Sequence, residues 1–288
     1  MIRSAGLLLF AMLLIPHAVE AQRSGRPGVA NGNPIDPNAP RPIDALESVW
    51  IEELTFMEVR DAIRSGKTTA IIPTGGVEQN GPYVAGGKHN YILRQTAEAV
   101  ARKLGNALVA PIVAFVPEGD IDLAPGTMRY PGTIGITDDT FKRLLSDIAT
   151  SLRANGFRHI VLIGDSGGNQ RPQLEVAEHL SARWTDGKTK IFHIPEYYNW
   201  DARQEWLQKR GINEVVQPVG IHEEFSGTAI MMLEDPTTVR MQQRLRAGHF
   251  TVNGVDLAPI SRTLALGREL VDWVADLTAT AIHEAIRG

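Results

Sequence analysis

Two apolar runs, each emptying into a glycine-bracketed polar turn, constrain this chain more than any other feature. Ala70-Ile71-Ile72-Pro73 leads to Glu78-Gln79-Asn80-Gly81-Pro82, and Ile160-Val161-Leu162-Ile163 leads to Gly164-Asp165-Ser166-Gly167-Gly168-Asn169. Short β-like runs of this kind read as strands buried on both faces. The turns that follow carry oxygen and nitrogen ligands and almost nothing apolar. Open α/β sheets place their chemistry in such turns, at the carboxyl ends of strands. Two of them in one chain point to an enzyme.

The surrounding pattern alternates strands with helices. Thr55 and Glu58 have capping-box spacing, and Gly66 follows as a stop. A helix is expected over residues 91–104, ended by Gly105, then a strand over 108–116. Asp138 is read as the cap of a helix that puts Phe141, Leu144, Leu145, Ile148 and Leu152 on one face. Further helices are expected over 175–184 and 261–286, with extended segments over 191–194 and 215–221. Alternation of this kind implies an α/β fold with a largely parallel sheet covered on both faces.

Composition narrows the function. Of 288 residues, 29 are Lys or Arg and 33 are Asp or Glu, which gives no global case for nucleic acid or an anionic membrane. The absence of cysteine excludes disulfides, thiolate metal sites and cysteine nucleophiles. Arg3, the apolar stretch 7–15 and Val19-Glu20-Ala21 form a signal peptide over residues 1–21. Export to the periplasm or beyond, with cleavage after Ala21 and no remaining membrane anchor, is therefore expected. Residues 22–44 read as a flexible Pro/Gly/Asn-rich lead-in, and 45–288 as one domain.

Several constellations could carry chemistry. Gly86-Gly87-Lys88 fails as a phosphate loop, because Pro82 and His89 stand where the motif needs Gly and Ser or Thr. Glu78 and His89 could hold Zn²⁺ or Mn²⁺, or could pair with each other while Asn90 caps the next helix. Ser166 could expose its hydroxyl beside an oxyanion hole of Gly167 and Gly168 N–H groups, or the turn could serve packing alone. Asp165 could be a metal ligand or orient a base. His222-Glu223-Glu224 could supply a general base with its carboxylate partner, or be a solvated turn. Tyr197, Tyr198, Trp200 and Trp206 could wall a pocket or bury a subunit contact.

Taken in order, these segments resemble the creatininase (creatinine amidohydrolase) family. The matching stretches are Glu78-Gln79-Asn80-Gly81-Pro82-Tyr83 with His89, Pro131-Gly132-Thr133-Ile134, the turn 164–169, and His222-Glu223-Glu224-Phe225-Ser226-Gly227-Thr228. The resemblance implies a three-layer α/β/α sandwich, a homo-oligomer, commonly a hexamer, and hydrolysis of amide C–N bonds at a paired metal site. It also implies departures at that site. Glu78 keeps the family's first ligand and His222 its catalytic histidine. Asn80 stands for a ligand histidine, His89 for the metal-bridging aspartate, Ser166 for the histidine of the glycine turn, and Gly227 for the acid of the last motif. A neutral imidazole has one free lone pair, so His89 cannot bridge two metals as a carboxylate does.

The expectation is an exported hydrolase of a small amide or cyclic amide. One divalent metal would be held by Glu78, His89 and Asp165, with His222 and Glu223 as catalytic groups. Asn80, Gly167, Gly168 and Asn169 would contact the small-molecule substrate. A metal-independent serine hydrolase using Ser166 and His222, and a non-catalytic small-ligand-binding protein, are the alternatives.

Overall fold

The computed structural model describes residues 36–215 and 222–288. One compact unit runs Arg41–Gly288, and the separate segment Met1–Pro40 is described only at 36–40, a short turn. The expected signal peptide, most of the lead-in and most of the segment expected before His222 lie outside the described residues.

The helices are α1 (Phe56–Arg64), α2 (Lys88–Leu104), α3 (Asp138–Ala154), α4 (Gly167–Arg183), α5 (Trp200–Gln208), α6 (Phe225–Glu234), α7 (Met241–Ala247) and α8 (Ile260–Arg287). The main strands are β1 (Thr69–Thr74), β2 (Ala107–Val109), β3 (His159–Gly164) and β4 (Lys190–His193). They form a parallel sheet in the order β2-β1-β3-β4. A small antiparallel pair, β5 (Thr251–Val252) and β6 (Val255–Asp256), stands apart.

Alternation along each strand divides the core in two. Ile71, Val109, Val161 and Ile163 face Leu93 and Ala97 of α2, Phe225 and Ile230 of α6, and Leu270 and Val274 of α8. Ala70, Ile72, Leu108, Ile160 and Leu162 face Phe141 and Leu145 of α3 and Val176 and Leu180 of α4. Both faces of the sheet are thus buried by helices, which makes the fold a mainly parallel α/β/α sandwich, as the alternation implied.

Local signals account for the element ends. Thr55 and Glu58 form a complete capping box at α1, with the Glu58 carboxylate also accepting from Leu46 N–H. These backbone N–H bonds, first that of Leu46, lower the Glu58 pKa to about 2. Three expectations shift. The residue capping α3 is Thr137, whose hydroxyl accepts from Thr140 N–H, so Asp138 is already helical. The strand expected over 108–116 ends at Val109, because Pro111 cannot donate to the ladder; the chain continues by single bridges such as Thr74 to Val113. α4 begins at Gly167, well before residue 175, and includes Pro172.

That early start has a physical cause. Buried Asn169 donates from Nδ2 to Thr74 O, Thr74 Oγ1 and Gly75 O at 3.1, 2.9 and 3.0 Å. Buried Gln173 donates to Thr74 Oγ1 at 2.6 Å. The first turns of α4 are therefore stitched to the end of β1, which offsets the weak helix propensity of the glycines. Gly168 is required there: a Cβ at that position would lie 2.6 Å from the Pro117 carbonyl oxygen.

Leu162 has no solvent exposure. Leu162→Ala should destabilise the fold by about 2–5 kcal/mol, measured by denaturant unfolding. Gly168→Ala should cost about 1–3 kcal/mol through overpacking. A Gly168→Ala protein as stable as wild type would mean that α4 does not need its close approach to Pro117.

Candidate active site

The site lies where β1 and β3 end side by side. From β1 the chain moves to β2 on one side of the sheet, and from β3 to β4 on the other. Such a switch point opens a crevice beyond the carboxyl ends of the strands. Here the crevice is a cavity of about 1120 Å³, walled by Glu78, His89, Glu118, Asp165, Ser166 and His222 among others. That volume is ample for a small molecule.

His89 organises its floor. It sits in the first turn of α2, buried, with its ring between the two glycine turns. Nε2 contacts Glu78 Oε1 at 2.9 Å and Nδ1 contacts Asp165 Oδ2 at 2.8 Å. The outer oxygens are engaged as well. Glu78 Oε2 accepts from His222 Nδ1 at 3.1 Å. Asp165 Oδ1 accepts from the Tyr197 hydroxyl at 3.3 Å and lies 3.9 Å from Arg203 Nη2. Tyr197 in turn meets Thr96 Oγ1 at 2.7 Å. One polar chain thus runs from His222 through Glu78, His89 and Asp165 to Tyr197 and Thr96.

The chain sets protonation. Burial opposes charge on His89, but the hydrogen bonds to Asp165 and Glu78 outweigh it and push its pKa up to about 9. Burial would raise Glu78, yet its bonds with His222 and His89 hold it well below the usual carboxylate range. Burial, and then the Asp165 charge, keep Tyr197 a neutral donor. Half-buried Glu118 goes the other way. Burial first and the Glu78 charge second raise it to about 7. Its Oε1 is a buried atom without a hydrogen-bond partner among the described residues. Gly76, at φ +154, has no side chain to block it; a Cβ there would stand 2.2 Å from that oxygen.

The sequence candidates fall into place unevenly. Glu78, His89 and Asp165 do adjoin, and His222 joins them. Glu223 does not orient His222: its carboxylate is turned to Arg244, which also stacks over Tyr83, so the partner of His222 is Glu78. Ser166 lines the cavity, but no hydrogen bond joins it to His222 among the described residues. Asn80 is buried and donates to Glu78 O and Ala85 O at 2.9 and 3.3 Å, tying its own loop. Gly167 and Gly168 border the cavity, whereas Asn169 works inward as the clamp on Thr74. Asn90 does not cap α2 but accepts from Gly76 N–H at 3.2 Å. Of the aromatic residues, Tyr198 and Trp200 wall the cavity and Trp206 packs in the core.

Two contributors carry little sequence signal. Lys88 is buried and donates to the His222 carbonyl at 2.7 Å and to Glu224 Oε2 at 3.2 Å. Glu118 follows a proline in a loop that no sequence motif marks.

A strand-end polar site on a parallel α/β/α sandwich is the class that fold and geometry define. The creatinine amidohydrolase family model matches residues 52–282, and the chain belongs to that creatininase family. It is 26% identical over 258 residues to the creatinine amidohydrolase of Pseudomonas putida, covering 84% of this chain and 97% of that protein. It is 27% identical over 148 residues to the 3-dehydro-scyllo-inosose hydrolase of Thermotoga maritima, spanning 51% of this chain but only 42% of that relative. Crystal structures of creatininase superpose with a TM-score of 0.57 at 22% identity, covering 84% of this chain and 97% of theirs. A Zn–Zn form of a mutant creatininase gives 0.58 at 22% identity, covering 84% and 98%.

The last of these is a zinc form; the donor set here does not fit a metal as arranged. Among the described residues no three His, Asp or Glu side chains are grouped to hold an ion. Glu78, His89 and Asp165 form a hydrogen-bonded bridge in which both imidazole nitrogens and all four carboxylate oxygens have polar neighbours. The expected metal ligands are thus neighbours of one another, without a common vacant point.

Removing the bridge exposes its worth. His89→Ala leaves two buried carboxylates facing one another and should cost about 3–5 kcal/mol. The wild-type contribution has a definite pH sense. Because the folded pKa is raised from 6.5 to about 9, the stabilisation is full below pH 6.5 and is lost as pH rises through about 9. Urea unfolding of both proteins between pH 6 and 10 checks it, with the gap closing at the alkaline end.

Proposed function

We propose that this protein hydrolyses a C–N bond of a small amide or cyclic amide, with water activated by His222. The Glu78–His222 contact carries the reading. With Glu78 ionised, its Oε2 takes the Nδ1–H of His222, which fixes the ring's tautomer and leaves Nε2 as a base. The His222 side chain is 40% exposed and lines the cavity.

Each remaining step falls to a residue of the same cavity. His222 Nε2 takes a proton from water as its oxygen bonds to the carbonyl carbon. The Gly167 and Gly168 N–H groups, in the first turn of the 17-residue α4, would meet the oxyanion, assisted by the positive end of the helix. Glu118, raised to about 7 and so about half protonated at neutral pH, gives its proton to the nitrogen as the C–N bond breaks. An ionised carboxylate beside one kept protonated is the arrangement that separates base from acid work. Lys88 holds the His222 backbone and so positions the base. Water is preferred over Ser166 as nucleophile because Ser166 is not bonded to the base.

Export through the leader 1–21 and assembly as a homo-oligomer belong to the same proposal. Amino-terminal sequencing of protein recovered from the host should begin at Gln22; a start at Met1 would reject export by cleavage.

The chemistry is checked on a panel of small linear and cyclic amides. His222→Ala should lower turnover about 100- to 10,000-fold. Ser166→Ala should stay close to wild type and Ser166 should resist fluorophosphonate labelling; labelling with matching loss of activity would make it the nucleophile. Activity should fall as pH rises through about 7, where Glu118 loses its proton. In Glu118→Gln that alkaline limb should vanish and the rate should drop. No turnover on any amide would leave a binding protein.

A further inference from the structure

We infer that His89 stands in place of the family's metal ions, so that this site works with a fixed imidazole between Glu78 and Asp165 and holds no resident divalent cation. The inference concerns the same site and rests on the hydrolase reading only for what that site acts upon.

Geometry carries it. Metal ligands approach a Zn²⁺ ion to about 2.0–2.2 Å. Here the space between the two carboxylates is filled by a ring in contact with both, at 2.9 and 2.8 Å. Two carboxylates facing one ring through both its nitrogens call for two N–H donors, so the ring presents itself as a cation and not as a lone-pair ligand. To admit an ion, His89 must leave at least one carboxylate, and it is buried at the start of a 17-residue helix. Its neighbour has the same character. The Lys88 ammonium lies on Glu224 at 3.2 Å and on the His222 carbonyl at 2.7 Å, so an incoming cation meets a positive charge as well.

Two further acids of the site are also engaged by the chain, while Glu118 keeps one buried oxygen without a partner among the described residues. Glu223 pairs with Arg244. Glu214 accepts from Phe225 N–H at 2.7 Å and from Asn253 Nδ2 at 2.9 Å. Asn80 spends its amide N–H groups on backbone carbonyls, leaving one buried Oδ1. Every carboxylate on the two glycine turns and beside His222 therefore has a cationic partner supplied by the chain itself. The positive charge that an ion would bring is already built in.

The test reads metal content and stability, not turnover, so it fails separately from the hydrolase reading. Full-length protein, purified without chelator and dialysed, should contain no stoichiometric Zn or Mn by plasma mass spectrometry. Its Tm should not move with excess ZnCl₂, MnCl₂ or EDTA. One or two equivalents of either metal retained through dialysis, or a Tm raised by metal and lowered by EDTA, would overturn the inference. His89→Asp removes the built-in cation and restores an anionic pocket, so Zn²⁺ should raise the Tm of this variant well above its effect on wild type. An equal rise in both proteins would again overturn it. If the variant does not fold, the wild-type metal content and Tm decide alone.

Discussion

A buried imidazole held between two carboxylates is the contact on which the rest of the site depends. Without His89, Glu78 and Asp165 would face each other in a low-dielectric crevice, where like charges repel strongly. With it, each carboxylate can stay ionised and offer its second oxygen to a further group. Glu78 uses that oxygen on His222, and Asp165 uses it on Tyr197. The orientation of the proposed base, and the carboxylate oxygen that Tyr197 donates to, both depend on one ring's position.

That position is in turn a consequence of the sheet. Pairing of β1 with β3 over residues Thr69 to Thr74 and His159 to Gly164 brings two turns, far apart in sequence, to the same carboxyl end of the sheet. Asn169 then clamps the second turn onto Thr74 and Gly75, so Asp165 and Glu78 have little freedom to separate. Apolar burial on both faces of the sheet supplies the bulk of the stability. The polar clamp converts that stability into a fixed geometry for the side chains above it. Loss of either would loosen the contact between His89 and its carboxylates.

This division explains what the sequence disclosed. Strands and most helices were legible because apolar spacing is a local signal: the burial of Ala70 to Ile72 and of Ile160 to Ile163 needs no knowledge of the partner. The start of α4 was hidden because Gly167, Gly168 and Pro172 disfavour a helix locally, while the compensating bonds run to Thr74. The partner of His222 was read as adjacent Glu223, when the carboxylate that reaches it is 144 positions away. Glu118 left no trace in the sequence, since its character comes from burial and from the charge of Glu78. Polar partnerships across the fold are tertiary facts, and residue spacing does not encode them.

In the proposed reading, in which His89 stands in place of the family's metal ions, the site also handles charge differently. A metal ion concentrates two positive charges at a point open to water and can bind and polarise that water directly. An imidazolium between carboxylates cannot: both of its N–H groups are spent, and its charge is shared with two anions in contact. Its influence on a substrate is therefore indirect, through the ionised state it allows Glu78 and through the position Glu78 gives His222. In the proposed mechanism, activation of water falls to His222, which Lys88 positions, and stabilisation of developing charge falls to the α4 amides. These groups are fixed by backbone and core contacts of the chain itself. Preorganisation of that kind costs no reorganisation during reaction, but it makes each supporting contact a determinant of rate. Substitutions that loosen the Asn169 clamp without touching the cavity wall should accordingly impair the site, because that clamp holds the second turn against Thr74 and Gly75.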